Sequence, residues 1–337
     1  MNARQILMLP VHVLALATGA KSFVGNPVIG STLLNRLGLH VARMVLADRI
    51  MAFRRLLLSA LVAPEDRQAL RRDGFILKPD FLAPEDLAAI EAEVRAMNEP
   101  ARECYQGDTV TWRVLLDEDT LSRLPATRKL IEDRRYRHLL CYVAGRLRVP
   151  SHWVQRIRSG VRAGKRDPQT NLHADTFQPN MKAWLFLDDV SEDNGPFTFV
   201  PGSHRMTWRR VKYAYRRSIA EAGATDSYSA RGSFRFEEKD LAELGLPAPR
   251  AFAVTRGTLV VADTVGLHRR GDSRLRPSSR LEIWSMCRTN PFNPLPGLPF
   301  RFLDRIDLAL YRAFMSYQDR KAAKRGTKPS WRPVPRR

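Results

Sequence analysis

Thr170-Asn171-Leu172-His173-Ala174-Asp175-Thr176-Phe177 is the stretch on which the fold of this chain turns. Read as a strand, it puts residues i and i+2 on one face, so the His173 imidazole and the Asp175 carboxylate converge on one point. A second imidazole, His268, follows the strand pattern Leu259–Asp263 across a glycine-containing turn. Two histidines and one carboxylate on one side of a metal leave the opposite positions open. That is the donor set of a non-haem Fe(II) centre with room for a co-substrate and O2. The tripeptide alone is a common accident of sequence, so its surroundings must supply the context.

Those surroundings are β-rich. Trp153–Arg158, Thr170–Phe177, Met181–Val190, Phe197–Val200, Phe252–Val254, Leu259–Asp263 and Arg280–Arg288 read as short strands divided by Gly, Pro, Asn and Asp. Such a series predicts a sandwich or jelly roll. Residues 205–250 read as a helical, charged insertion placed to act as a lid. Arg280 opens the strand that comes after His268, twelve residues further on. A guanidinium there can pair bidentately with the distal carboxylate of 2-oxoglutarate. Arg274 and Arg276 stand close enough to be alternates. No P-loop, Ser-His-Asp order or GxGxxG occurs in a suitable strand–helix context.

Taken in order, Arg72-Asp73-Gly74-Phe75, Phe81-Leu82-Ala83-Pro84-Glu85, Gln155, His173-Ala174-Asp175, Asn194-Gly195-Pro196, Pro201-Gly202-Ser203-His204, His268 and Arg280 carry a family pattern. This stretch, about residues 67–290, resembles the phytanoyl-CoA dioxygenase family of Fe(II)- and 2-oxoglutarate-dependent oxygenases. The resemblance implies a mainly β fold with flanking α, a double-stranded β-helix (jelly-roll) core. It implies His173, Asp175 and His268 as iron ligands, Arg280 as the 2-oxoglutarate anchor and Gln155 as a further contact to that co-substrate. It also implies Fe(II), 2-oxoglutarate and O2 as the reaction's requirements. Because related halogenases lack the carboxylate that Asp175 supplies, hydroxylation is the expected outcome. His204 reads as structural.

The chain divides into three parts: residues 1–63 as a helical extension, 64–290 as the oxygenase domain, and 291–337 as an amphipathic helix with a basic tail. Residues 1–63 hold seven Lys/Arg against one acid, Asp48. Leu39, Leu46, Ile50, Phe53 and Leu57 form one apolar helical stripe. That stripe suits either the catalytic core or an anionic membrane surface. Ile6–Ala20 is apolar but interrupted by Pro10 and His12, which suggests a non-spanning contact rather than an export signal. Residues 101–150 read as mostly helical, and Leu303, Ile306, Leu310, Phe314 and Tyr317 as a last amphipathic helix. After Asp319 come eight Lys/Arg and no acid, read as a disordered basic tail.

A formal charge of +21 calls for anionic partners. Arg156, Arg158, Arg162, Lys165 and Arg166, the basic lid, and Arg269 with Arg270 bring positive charge to the expected site mouth. An anionic, phosphorylated or lipid-linked substrate or an acyl-CoA is therefore expected, the Kdo unit of lipopolysaccharide being one concrete candidate by analogy. Nucleic acid is disfavoured because few aromatics interleave the basic residues. Three scattered cysteines without CxxC spacing point to a reducing cytosol, at most peripheral to the inner face of a membrane. Two other readings compete: a catalytically silent jelly-roll binding protein, and a metal enzyme that does not use 2-oxoglutarate.

Overall fold

The computed structural model describes residues 7–334 except Val149, Gly223, Thr225, Asp226, Arg276 and Arg288. Its strands, in chain order, are β1 (Phe75–Lys78), β2 (Ala101–Gln106), β3 (Thr109–Leu115), β4 (Ser151–Ser159), β5 (Met181–Phe186), β6 (Phe197–Phe199), β7 (Arg250–Ala251), β8 (Leu259–Asp263), β9 (His268–Arg270), β10 (Ser278–Met286) and β11 (Arg332–Val334). Eight form an antiparallel sheet in the order β1-β8-β5-β10-β4-β3-β2-β11, and β7-β6-β9 form a second sheet. This is the two-sheet arrangement of a jelly roll, wrapped in more helix than the sequence suggests.

Side-chain alternation sorts the large sheet into two faces. On the outer face Val154, Leu185, Val261, Leu281 and Ile283 join Tyr136, Leu139, Leu140 and Val143 of the helix Arg134–Ala144 in one core. On the inner face Trp153, Trp184, Phe186, Val260 and Trp284 meet Phe197, Phe199 and Phe252, from β6 and the segment after β7. The metal-site residues stand on this inner side. At the C-cap of the helix Pro64–Asp73, Gly74 has φ +89°, and a Cβ there would lie 2.5 Å from His204 Nδ1. His204 is thus a packing neighbour of the turn into β1.

Several expectations are corrected here. Residues 101–115 form the hairpin β2–β3, whose polar alternation (Arg102, Glu103, Gln106, Arg113) hid it from a hydrophobic reading. Thr170–Phe177 is an irregular segment with bridges only at His173, because the Asp167 side chain caps a short 3-10 turn at Pro168–Thr170 just before it. Phe252–Val254 keeps one bridge, Val190 with Val254. The described part of the tail has regular structure: the helix Arg301–Lys324 runs past Asp319, and β11 pairs with β2.

The helix Leu39–Leu57 packs on the rest of the molecule through His40, Arg43, Met44, Ala47, Met51 and Arg54. Arg43 is buried because its guanidinium donates to the carbonyls of Leu16, Thr18 and Ala20 at 3.1, 2.9 and 2.8 Å. From its far end Arg55 donates to Asp263 Oδ2 at 2.8 Å and to the Val143 carbonyl. The apolar stripe faces the other way, with Leu46, Phe53 and Leu57 about half exposed. The C-terminal helix likewise leaves Ile306, Leu310, Phe314 and Tyr317 exposed. No described helix is long and apolar enough to cross a membrane.

Candidate metal centre

His268 opens β9, and His173 is its backbone partner: each N–H donates to the other's carbonyl at 2.9 Å. Arg235 bridges the other side of His173, so the lid insertion continues the small sheet past the metal site. Ala174 N donates to Phe234 O, and Ser233 Oγ to Ala174 O. The insertion is therefore a wall hydrogen-bonded to the site rather than a free flap.

The two imidazoles are oriented alike. His173 Nδ1 lies 2.8 Å from Asn171 O and His268 Nδ1 lies 2.9 Å from Gly266 O. A carbonyl can only accept, so each Nδ1 carries the proton and each Nε2 presents a lone pair to the cluster. Gly266 cannot be larger, since a Cβ there would stand 2.2 Å from Phe199 Cζ. Asp175 Oδ1 is 3.9 Å from His173 Nε2, and Oδ2 is 3.5 Å from His268 Nε2. Ligands about 2.0–2.2 Å from one ion lie at most roughly 4.4 Å apart, so both spacings suit a shared metal. His268 Nε2 is buried with no hydrogen-bond partner among the described residues, which is what a missing ligand bond leaves behind. Of the described His, Cys, Asp and Glu, these three form the group able to hold a metal.

Electrostatics favour that use. Burial and the adjacent His268 hold His173 well below the usual imidazole range, keeping it neutral. Burial opposes charge on Asp175, but Lys182 and the two imidazoles outweigh it and hold its carboxyl well below the carboxylate range. Lys182 Nζ lies 2.6 Å from Asp175 Oδ2, and Lys21 Nζ donates to the Asp175 carbonyl. Neither lysine is distinguished in the sequence. Lys182 could have been found only by tracing the inward face of β5.

Beyond β9, Arg280 is 4% exposed, with Nε 3.4 Å from Glu282 Oε2. Gln155 lies opposite Glu282 in register, and its amide is taken at both ends, by Arg113 Nε (2.6 Å) and by Glu282. Arg113 is sandwiched, with its Cζ 3.6 Å from the Trp284 ring centre and 4.6 Å from that of Trp331. Burial lowers its pKa to about 9. Arg270, on the same face of β9 as His268, pairs with buried Asp167. Three guanidinium groups thus face two carboxylates on the inner wall, a surplus suited to an anion. Arg274 is exposed and pairs with Asp193, away from this wall, while Arg276 lies outside the described residues. Much of the expected basic mouth is already engaged: Arg166 with Asp272, Arg216 with Glu243, Arg217 with Glu221, and Arg210 with the Val265 carbonyl.

Comparison with known proteins bears on the same region. Residues 70–237 match the family profile of phytanoyl-CoA dioxygenase, which ends before His268 and Arg280. Ectoine dioxygenase of Bordetella bronchiseptica is 28% identical over 155 residues, 41% of this chain and 48% of the relative. The chain thus spans about half the length of the curated relatives it matches. Among solved structures, the epimerase SnoN, in complex with Fe3+, alpha ketoglutarate and nogalamycin RO, aligns at TM-score 0.45 and 22% identity, covering 68% of this chain and 83% of its own. EctD from S. alaskensis with bound Fe aligns at TM-score 0.42 and 15% identity, covering 69% and 80%. With the profile match lying across the HxD segment and its flanking strands, the chain belongs to the phytanoyl-CoA dioxygenase family of Fe(II)- and 2-oxoglutarate-dependent oxygenases.

Proposed function

We propose that this protein is an Fe(II)- and 2-oxoglutarate-dependent hydroxylase acting on an anionic, lipid-linked or acyl-CoA-like substrate. The observation that carries the reading is the convergence of His173 Nε2, His268 Nε2 and the Asp175 carboxylate, with both Nδ1 atoms committed to backbone carbonyls. His173, Asp175 and His268 hold the metal, which when loaded supplies the oxidising chemistry with O2. Arg280 receives the distal carboxylate of 2-oxoglutarate, and Gln155 keeps Glu282 engaged beside it. The aromatic wall of Trp184, Phe197 and Trp284 excludes water from the site. Anaerobic addition of Fe(II) and then 2-oxoglutarate should give a visible metal-to-ligand charge-transfer band. His173→Ala and His268→Ala should each abolish iron binding, and full iron occupancy in either variant would refute the assignment.

A peripheral contact with an anionic membrane is the second part of the proposal. It is supported by the outward Leu46, Phe53 and Leu57 of the helix Leu39–Leu57 in a chain of charge +21. Apolar burial and head-group attraction add, the latter by up to about 1 kcal/mol per basic residue near the surface. The protein should sediment with phosphatidylglycerol vesicles at low salt and be partly released at high salt. Phe53→Ser with Leu57→Ser tests this better than deleting residues 1–63, whose other face is core. Unchanged sedimentation of the double variant would exclude this surface.

A further inference from the structure

A groove of about 1330 Å3 runs between the C-terminal helix Arg301–Lys324 and the ends of β2, β3, β4 and β10. Its volume exceeds the roughly 300–1,000 Å3 of ordinary small-molecule pockets. One wall is apolar: Trp153, Leu310, Tyr311, Phe314, Met315 and Trp331. Leu310 and Phe314 are 63% and 55% exposed, so the wall opens to solvent at its rim. At its inner end the lining residue Met286 stands opposite Lys182 in the β10–β5 register, and Lys182 in turn contacts Asp175.

The same groove is cationic as well. Arg54, Arg102, Arg113, Arg146, Arg148 and Arg312 line it, and Asp307 is the only acid among the lining residues. Four of these arginines have carboxylate partners: Arg102 with Asp319, Arg146 and Arg148 with Asp307, and Arg312 with Asp117. Arg54 and Arg113 have none within ion-pair distance among the described residues. Arg113 is stabilised by Gln155 and two indole rings. Arg54 is 2% exposed, and its Nε and Nη2 have no hydrogen-bond partner among the described residues. A buried, unpaired guanidinium is costly and signals a missing anion.

We propose that this groove holds the substrate as an anionic amphiphile, its phosphate or carboxylate head on Arg54 and its chain along Tyr311, Phe314 and Leu310. A planar guanidinium matches either anion bidentately, while the aromatic and aliphatic wall takes the alkyl portion. The proposal deepens the hydroxylase reading and rests on it for the reaction alone, not for the binding.

Dodecyl phosphate below its micelle-forming concentration is the probe, and the tryptophan fluorescence of the full-length protein, to which Trp153 and Trp331 in the groove contribute, is the readout. Dodecyl phosphate should give a saturable change at a concentration at least roughly tenfold below dodecanol, and inorganic phosphate should give none. Arg54→Met should weaken dodecyl phosphate roughly tenfold or more while leaving dodecanol unchanged. Leu310→Ser, at the exposed rim, should weaken both alkyl ligands and keeps the test decisive if Arg54→Met does not fold. Equal binding of dodecanol and dodecyl phosphate, an equal response to inorganic phosphate, or wild-type affinity in either variant would overturn the proposal. Because the readout needs no metal, saturable binding without the charge-transfer band would sink the hydroxylase reading alone, and the reverse would sink the groove alone.

Discussion

The two faces of the large sheet are made by the same strands yet obey different rules. Leu281 and Ile283 of β10 point outward into an apolar core, whereas Arg280, Glu282 and Trp284 point inward toward the metal-site side. The outer face carries few polar groups: Ser285 Oγ lies 2.7 Å from His152 Nδ1 and 2.8 Å from the Tyr136 hydroxyl, and Asp263 at the end of β8 pairs with Arg55. The inner face carries Lys182, Arg113, Gln155, Arg280 and Glu282, buried or nearly so. A buried ion pair gains little net stability over well-packed apolar residues of the same volume. The outer face therefore supplies stability, and the inner face gives up part of it to keep charged groups buried.

Substitutions on opposite faces of β10 should separate these roles. Ile283 is fully buried on the outer face, and Ile283→Ala should lower unfolding free energy by about 2–5 kcal/mol. Denaturant melts check this, and the affinity of the remaining folded protein for Fe(II) should be unchanged. On the inner face of the same strand, Arg280→Gln should leave Fe(II) binding intact. It should weaken 2-oxoglutarate by roughly 30- to 150-fold, about 2–3 kcal/mol, in anaerobic titrations of the charge-transfer band. Unchanged co-substrate affinity would remove Arg280 from the site.

The smallest effect concerns pH. His40 sits among the rings of Phe23, Phe177 and Phe234, at centroid distances of 5.4, 5.9 and 5.5 Å. Burial, then Arg43, lowers its pKa from 6.5 to about 3. The folded protein thus keeps it neutral while the unfolded chain takes up a proton. Above pH 6.5 it has no effect on stability. As pH falls from 6.5 toward 3, stability drops by up to about 1.4 kcal/mol per pH unit from this site. His40→Phe should flatten the acid limb of a melting-temperature profile of the metal-free protein by that one proton, and an unaltered slope would assign the linkage elsewhere.

What could be read from the sequence divides along the same line. Strands with apolar alternation or β-branched runs, such as β5, β8 and β10, were legible because the outer face is ordinary core. The cluster of His173, Asp175 and His268 was legible because His173 and Asp175 are two residues apart and His268 comes just after a clear strand. The hairpin β2–β3 was not, since its inward residues Arg102, Gln106, Thr109, Thr111 and Arg113 are polar. Glu282 and Arg113 were equally hidden, because each acquires its partner Gln155 only when separate strands come into register, and Lys182 because its partner Asp175 lies on the irregular segment that folds back over β5. The stripe Leu46-Phe53-Leu57 was identified as a stripe, but its direction was not. That depends on Arg43 finding three carbonyls from residues 16–20, an energetic detail that periodicity does not contain.

The contacts of Lys21 and Arg55 also fix when the molecule can be completed. Lys21 reaches a partner 154 positions downstream, Asp175, and Arg55 one 208 positions downstream, Asp263. During synthesis the helix Leu39–Leu57 can meet residues 16–20 as soon as it forms, but its Arg55 waits for Asp263 until β8 emerges. Contacts of such long sequence separation form slowly, and a basic, apolar segment waiting for them is a natural client for holding chaperones. Yield in a heterologous host should therefore depend more on chaperone supply during elongation than on the thermodynamic stability of the finished fold.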